Sequence, residues 1–236
     1  MIAAYNKLHI KAGILEKIPF YYKQLFLRKH NYLQEFWVGR KEEMRQIERA
    51  FENFSSGFHG GILIHGDRHS GKSFFAHYAS SSLLPNYKLI SIHAPLAGST
   101  NISDFKSAFS QASGLTGSWV KIFRNLPKKS IILFEDIELW WERRNGGDAV
   151  IEELKQLINT YAKDYIFLVT TNSASLKVLD TTIGLSEEFI GKIEMQELDS
   201  EELKEMILYR HQTSALEFNL RGKMESQYKE WHFARL

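Results

Sequence analysis

The stretch GDRHSGKS, residues 66–73, decides how this 236-residue chain folds. It matches the pattern G-x-x-x-x-G-K-[ST] at each defined position, and it stands between the apolar run GILIH at 61–65 and a helical pattern that starts at Lys72. Its glycines let backbone N–H groups turn inward around a phosphate, and the start of the helix adds its positive end. The stretch therefore predicts a strand, a phosphate-binding loop and a helix in succession.

The side chains of this loop, a P-loop or Walker A motif, have separate expected roles. Lys72 would place its ammonium group between β- and γ-phosphate oxygens, and Ser73 would supply a hydroxyl ligand to Mg²⁺. We therefore expect ATP and Mg²⁺ as cofactors, with Lys72 also acting in catalysis. The residues expected to surround the nucleotide are Gly66, Asp67, Arg68, His69, Ser70, Gly71, Lys72, Ser73 and Phe74.

The composition is typical of a folded domain in a reducing compartment. Hydrophobic residues make up 44% of the chain and charged residues 25%, a balance that supports a core of ordinary size. The chain has no Cys, which excludes disulfides and thiol-ligated metals. Its apolar runs are too short for a spanning helix, and its first residues lack the apolar segment of a signal peptide. We expect a cytoplasmic protein without a transmembrane segment.

Short apolar runs alternate with helical patterns from about residue 36 onward. Runs that read as strands occupy 61–65, 87–93, 130–134, 165–170 and 192–195. Helical patterns occupy 72–84, 104–112, 148–161 and 200–211, with Ser103 as the expected N-cap of the second. Strands that alternate with helices predict an α/β fold whose parallel sheet is covered by helices on both faces.

Paired acids follow the third predicted strand, SIILF at 130–134. A P-loop enzyme needs a carboxylate at the end of a neighbouring strand to orient the Mg²⁺ shell. Glu135 takes this Walker B position, binding the metal directly or through water, and Asp136 is placed to polarise the attacking water. The order Glu-Asp departs from the commoner Asp-Glu or Asp-Asp. Acidic residues at the end of a strand are common, but in a chain that also contains a P-loop they predict a Mg²⁺-dependent ATPase.

Together these motifs resemble those of the AAA+ superfamily of P-loop ATPases. The stretch FWVGRKEE at 36–43 is similar to the entrance box, which in that family packs around the adenine; Val38, Gly39 and Arg40 are its matching residues. The stretch FLVTTN at 167–172 is similar to sensor 1, which implies that Asn172 contacts the γ-phosphate or the attacking water. The alternative is that these polar residues simply begin a turn.

A third stretch, 185–211, resembles the passage from the ATPase core of that family into its helical lid. The resemblance covers about residues 36–212 and implies a parallel five-stranded sheet of order 5-1-4-3-2, flanked by helices, with a partial lid. The entrance box is closest to the branch of STAND and archaeal-type ATPases. We expect a basic, aromatic extension at 1–35, an AAA+-like core at 36–198 and the start of a lid at 199–236.

Some arginines of that family have no clear counterpart. The helix expected before the fifth strand contains Lys177 but no Arg finger, although Arg143 and Arg144 could act in trans. Sensor 2 would be an Arg of the lid, and neither Arg210 nor Arg221 matches it clearly. Because about forty residues follow the fifth strand, we expect either a fragment of a longer protein or an abbreviated lid.

These features support three functional interpretations. The first is an ATPase that switches conformation or assembly with its nucleotide state and is activated by a protein partner or by self-assembly. The second is a nucleic-acid-associated ATPase of the loader or transposition-helper type, because residues 1–36 carry six Lys or Arg against two Glu, with interleaved aromatic residues. That segment could equally be a solvated face docked on the domain. The third is a P-loop small-molecule kinase, which leaves the entrance box unexplained.

Overall fold

A computed structural model describes residues 18–22 and 37–214 of the chain. One compact unit spans Arg40–Glu197, and the described residues 18–22, 37–39 and 198–214 belong to a second unit. The three-part division expected from the sequence stays a prediction, since most of its first and last parts lie outside the described residues. None of the helices in the described ranges combines the length and apolar character that crossing a membrane requires.

Strands and helices alternate through the larger unit. Its strands are β1 (Gly61–Gly66), β2 (Lys88–His93), β3 (Ser130–Glu135), β4 (Ile166–Asn172) and β5 (Phe189–Met195). Its helices are α1 (Lys41–Ser55), α2 (Lys72–Leu83), α3 (Ile102–Ser113), α4 (Trp119–Asn125), α5 (Ala149–Tyr161) and α6 (Ser173–Ile183). Short 3₁₀ turns span Ile137–Trp140 and Leu185–Glu188, and helix α7 (Ser200–Thr213) belongs to the second unit.

The strands form one parallel sheet of order β2-β3-β4-β1-β5 in the described part of the chain. Read from the other edge this is 5-1-4-3-2, so the predicted α/β class and strand order are confirmed. Gly66, the last residue of β1, is paired with Asn172 of β4 and Met195 of β5. The carboxyl ends of the strands therefore lie along one edge of the sheet, the edge at which open α/β folds bind ligands.

Successive residues of a strand point to opposite faces of the sheet, and different helices cover the two faces. Ile92, Phe134 and Phe167 lie in an aromatic-rich core with residues of α3, α4 and α5. Phe134 stacks on Phe105 of α3 with ring centroids 5.3 Å apart. Helix α2 packs across the strands, and its buried Phe75 is not part of that core. The residues that alternate with this core along β2 and β3 thus face α2.

Most predicted boundaries differ from the observed ones by only a few residues, but the expected N-cap of α3 is wrong. The helix begins at Ile102 after Asn101, not after Ser103. The cause is Ser99, whose hydroxyl donates to Asp104 at 2.6 Å and accepts from the Asn101 N–H at 3.2 Å, fixing an earlier turn. Strand β5 also starts earlier than predicted, at residue 189, because its pairing with β1 begins there.

Candidate functional site

The loop between β1 and α2 lies at the carboxyl edge of the sheet, where the sequence predicts the P-loop. Gly71 precedes α2 with φ +90°, a conformation that favours glycine. Apart from its chain neighbours, no heavy atom of the described residues lies within 4 Å of the place that a Cβ on Gly71 would occupy. Gly71 has no side chain with which to cap the first turn of α2, and N–H groups at the start of a helix can donate hydrogen bonds to a bound anion.

Lys72 is the first residue of α2 and is 6% exposed. Its Nζ donates to the carbonyl oxygens of Gly66 at 3.2 Å and Asp67 at 2.9 Å. The ammonium group therefore folds back over the loop that precedes it. Hydrogen bonds to phosphate are stronger than bonds to carbonyls, so an anion in the loop would compete for this group.

Ser70 gives the loop a polar group that the described residues do not satisfy. Its Oγ is buried and has no hydrogen-bond partner in the ranges 18–22 and 37–214. An unpaired buried hydroxyl costs about 1–3 kcal/mol, which a bound phosphate oxygen would offset. The loop therefore fits a polyphosphate. The other predicted binding residues lie around it, with Asp67, Arg68 and His69 exposed and Phe74 partly buried on α2.

Glu135 ends β3 and is 5% exposed. Its Oε1 accepts from Ser91 Oγ at 2.5 Å and lies 3.0 Å from His77 Nε2, while His93 Nε2 is 3.7 Å away. An ionised carboxylate can only accept, so His77 donates to it. Ser73 also lies close enough to this carboxylate for its hydroxyl to lower the pKa of Glu135. The two residues that the sequence predicts as Mg²⁺ ligands, Ser73 and Glu135, are thus brought together.

These donors set the ionisation of Glu135. Burial by itself raises the pKa of the carboxyl group, but hydrogen bonds from His77, Ser73 and Ser91 and the nearby His93 outweigh it and lower the pKa to about 2. The group is therefore a carboxylate at neutral pH, the form that hard cations such as Mg²⁺ bind.

We expect Glu135 to stabilise the fold above about pH 4.5 and to lose this effect as the pH falls toward 2. Its pKa is about 2 in the folded chain against the ordinary 4.5, so the unfolded chain takes up the proton first. This shift corresponds to a contribution on the order of 3 kcal/mol. Urea unfolding of the wild type and Glu135→Gln should give free energies whose difference shrinks between neutral pH and about pH 3. A difference that does not vary with pH would contradict this expectation.

Asp136 follows Glu135 with a left-handed backbone, φ 49°. Its N–H donates to Thr170 Oγ1 at 2.9 Å, which ties the start of the 3₁₀ turn to the end of β4. Glu138, which the sequence analysis left without a role, lies on the same turn. Burial, followed by the charge of Asp136, raises the pKa of Glu138, and its Oε2 has no hydrogen-bond partner in the described ranges. Its spacing of three residues from Glu135 is the signal that could have identified it.

Asn172 ends β4 beside Gly66, so the sheet brings it to the predicted edge. Its Oδ1 accepts from the Ala174 N–H at 2.8 Å and caps α6. The structure thus contains the local turn that was the alternative to sensor 1. The expected contact of Asn172 with a γ-phosphate stays a prediction.

The entrance box is divided between the two compact units. Val38 and Gly39 belong to the second unit and Arg40 to the larger one, while Phe36 lies outside the described residues. Gly39 has φ +70°, and a Cβ there would collide with the carboxyl group of Glu202. Contact of Val38 and Gly39 with an adenine stays a prediction.

The side chain of Arg40 is hydrogen-bonded to the backbone of the P-loop. Its guanidinium donates to the Ser70 carbonyl at 2.7 Å, to the Gln196 carbonyl after β5 and to Glu43 Oε1 at 3.0 Å. Arg40 and Glu43 are each 8% exposed. In this structure the guanidinium thus spans the loop and the end of β5, and the contact of Arg40 with an adenine stays a prediction.

Replacing Arg40 with Ala should destabilise the larger unit by about 3 kcal/mol, because Glu43 is left buried without its partner. Arg45 is the matched control, since it is solvent-exposed and its ion pair with Glu42 is exposed too. Arg45→Ala should change the free energy of unfolding by less than about 0.5 kcal/mol. Urea denaturation checks both variants, and equal effects would contradict the role assigned to Arg40.

The arginines considered as a finger or as sensor 2 are not brought to the P-loop within the larger unit. Arg143 is exposed, and Arg144 donates to Thr100 Oγ1 at 2.8 Å. Arg210 lies on α7 of the second unit, where burial lowers its pKa, and Arg221 lies outside the described residues. Both roles stay unassigned.

No protein-family model and no curated protein matches the chain. Solved structures do match it. The ORC1 protein of Aeropyrum pernix, in complex with DNA, is similar with a TM-score of 0.60 and 18% identity, over 81% of this chain and 53% of that chain. The ORC2 protein of the same organism, in ADPNP-ADP complexes, has a TM-score of 0.56 and 12% identity, over 76% and 55%. The RuvB Holliday junction branch migration motor of Thermotoga maritima has a TM-score of 0.53 and 19% identity, over 77% and 53%.

At such low identities the similarity shows the fold, and the chain spans about half the length of the solved chains it matches. ORC1, ORC2 and RuvB are AAA+ ATPases, and the observed strand order is the one predicted from the resemblance to that superfamily. The P-loop stretch of this chain stands between β1 and α2 of that sheet. The chain therefore has the fold of the AAA+ P-loop ATPases.

Proposed function

We propose that this chain binds ATP with Mg²⁺ in the loop 66–73 and is an ATPase whose nucleotide state switches its conformation or assembly. The observation that carries the proposal is the position of Glu135 beside Ser73. A Mg²⁺–nucleotide complex needs two such oxygen donors, an ionised carboxylate at the end of a strand and the hydroxyl group of the P-loop.

Each residue of the site has a defined task in this proposal. The N–H groups that start α2 bind the phosphates, and Lys72 exchanges its carbonyl partners for β- and γ-phosphate oxygens. Ser73 and Glu135 would hold Mg²⁺, which would neutralise charge on the phosphates. Asp136 acts as the general base that orients and deprotonates water, and Asn172 contacts the γ-phosphate.

The same arrangement supports a switch. Asn172 ends β4 and also caps α6, so a change in its contact with the γ-phosphate acts on the start of that helix. Asp136 is tied to β4 through Thr170, which places the hydrolytic and sensing groups on connected elements. Differential contacts of this kind let ATP and ADP favour different conformations.

Hydrolysis is proposed to be slow for the isolated chain and faster in an assembly. The helix before β5 carries no Arg, whereas Arg fingers supplied in trans accelerate P-loop hydrolysis by about 10³-fold or more. A second copy or a protein partner would supply that group.

Phosphate release tests this function directly. With ATP and Mg²⁺ we expect slow release of inorganic phosphate, which stops with EDTA and whose rate per chain rises with protein concentration. Size-exclusion runs with ADP and with a non-hydrolysable ATP analogue should then differ. No phosphate release at any protein concentration would overturn the ATPase proposal. Transfer of the γ-phosphate to a metabolite, with none to water, would favour the small-molecule kinase.

A nucleic-acid-associated ATPase is the second candidate. It is motivated by the matched ORC1 structure, which is in complex with DNA, and by the basic N-terminal sequence. Of its aromatic residues, Phe20 and Tyr21 are exposed, whereas the Tyr22 hydroxyl lies 3.3 Å from Nδ1 of His211 on α7. Tyr5 and Phe26 lie outside the described residues.

Fluorescence anisotropy with labelled single- and double-stranded DNA and RNA tests this candidate. It predicts binding at low ionic strength that weakens steeply with added salt, because Lys and Arg displace counterions from phosphates. The absence of binding at low salt, or binding that does not depend on salt, would exclude it.

A further inference from the structure

Sheet register and helix spacing bring a set of polar residues to Glu135 on one side of the sheet. β2 and β3 are paired with His93 opposite Glu135, and alternate residues share a face, so Ser91 lies on that face too. Helix α2 covers this face of the strands. His77 is four residues after Ser73 on α2, and residues at this spacing share one side of a helix. One side of α2 therefore presents both Ser73 and His77 to Glu135.

Two donors meet at the same oxygen atom of Glu135. His77 Nε2 is 3.0 Å from Oε1, and Ser91 Oγ is 2.5 Å from it. A carboxylate oxygen accepts two hydrogen bonds through its lone pairs, so these two donors occupy Oε1. The His77 side chain is itself largely buried, which strengthens the bond by excluding water. These two bonds fix the orientation of the carboxylate, and neither of them uses Oε2.

His77 differs from Ser91 in the element that carries it. Ser91 belongs to β2, a neighbour of β3 in the sheet, whereas His77 belongs to α2, whose first turn contains Lys72 and Ser73. The bond from His77 therefore fixes the strand-end acid relative to the helix that would hold the nucleotide.

We propose that His77 is a positioning residue that orients the Glu135 carboxylate toward Mg²⁺ bound with ATP at this loop. It acts through Glu135 and does not touch the nucleotide. The inference rests on the proposed function, because it assigns His77 to the same site. Residues that hold metal ligands from outside the ligand shell contribute about 10- to 100-fold to metal affinity or activity.

The test compares His77→Ala with His77→Gln and His77→Asn in the full chain. The amide nitrogen of Gln can occupy the place of the His Nε2, whereas that of the shorter Asn cannot reach it. Ser82→Ala is the matched control, an exposed serine on the same helix. A fluorescent ATP analogue measures nucleotide affinity in EDTA, and a Mg²⁺ titration then gives the concentration for half of the Mg²⁺-dependent change in binding. Neither readout requires turnover.

We expect His77→Ala to raise that Mg²⁺ concentration by about 10-fold, with the affinity in EDTA changed by less than about 2-fold. His77→Gln should restore the wild-type Mg²⁺ requirement within about 3-fold, and His77→Asn should resemble His77→Ala. If His77→Ala does not fold, the Mg²⁺ concentrations required by His77→Gln and His77→Asn are compared instead, and the same difference between these two variants is expected.

Three outcomes overturn the inference. If the wild type binds the analogue with a Mg²⁺ dependence that His77→Ala leaves unchanged, His77 does not position the acid and the proposed function still stands. If His77→Ala weakens binding in EDTA as much as in Mg²⁺, or if Gln and Asn behave alike, the role of His77 is structural. If the wild type binds no nucleotide, the proposed function fails and this inference fails with it.

Discussion

Lys72→Ala is expected to weaken ATP binding by about 100-fold. The side chain is buried, and its ammonium group reaches the carbonyls of Gly66 and Asp67 at the start of the loop. In the proposed complex it bonds two phosphate groups, and charged hydrogen bonds of this kind contribute about 1.5–3 kcal/mol each. A loss of about 3 kcal/mol corresponds to roughly 100-fold in the dissociation constant.

Equilibrium titration with a fluorescent ATP analogue measures this effect. Lys88→Ala is the matched control, since Lys88 is an exposed lysine at the start of β2, and it should bind like the wild type. Thermal unfolding of Lys72→Ala checks whether the variant remains folded. ATP binding that is unchanged in Lys72→Ala would contradict a nucleotide site in this loop.

Glu135→Gln is expected to slow ATP hydrolysis by at least about 100-fold while ATP affinity changes by no more than about 3-fold. Gln has the size of Glu, but its neutral amide is a poor ligand for Mg²⁺. Metal ions contribute several kcal/mol of charge stabilisation in the transition state, and a loss of about 3 kcal/mol is roughly 100-fold in rate. Nucleotide binding rests mainly on the P-loop, so the variant should retain ATP.

Single-turnover phosphate release measures this rate at a protein concentration that gives measurable wild-type activity. Glu142→Gln is the control, because Glu142 is an exposed acid in the next loop that forms a surface ion pair with Arg144. A Glu135→Gln variant that hydrolyses ATP at the wild-type rate would exclude Glu135 as a metal ligand. Equal losses of binding and turnover would instead indicate a damaged P-loop.

The fold could be predicted from the sequence because its deciding features are local. The pattern at 66–73 fixes one strand, one loop and one helix, and the alternation of apolar runs with helical patterns fixes the parallel sheet. The strand order came from the resemblance to AAA+ ATPases, and the sheet confirms it. The proximity of Glu135 to Ser73 follows from that order, because strands of a parallel sheet end at the same edge.

The surroundings of the acid could not be predicted in this way. His77, Ser91 and His93 reach Glu135 only because β2 and β3 pair in one particular register and α2 presents one particular side. Neither the pairing register of β2 and β3 nor the side of α2 that faces the sheet can be read from a single sequence. A shift of one residue in the register would turn Ser91 and His93 to the other face.

Two other features of the structure depend on contacts that the sequence does not show. The earlier start of α3 depends on Ser99, whose hydroxyl organises the turn before the helix. The position of Arg40 depends on the carbonyls of Ser70 and Gln196, which lie far from it in sequence. A motif identifies such a residue but does not show which backbone groups it will meet.

Isothermal titration of the wild-type chain with ATP, in the presence of Mg²⁺, tests the central claim most directly. The account predicts saturable binding of one ATP per chain, weakened when EDTA removes the metal, with ADP competing for the same site. The absence of saturable binding at ATP concentrations up to about 1 mM, which corresponds to a binding free energy of about −4 kcal/mol, would contradict it.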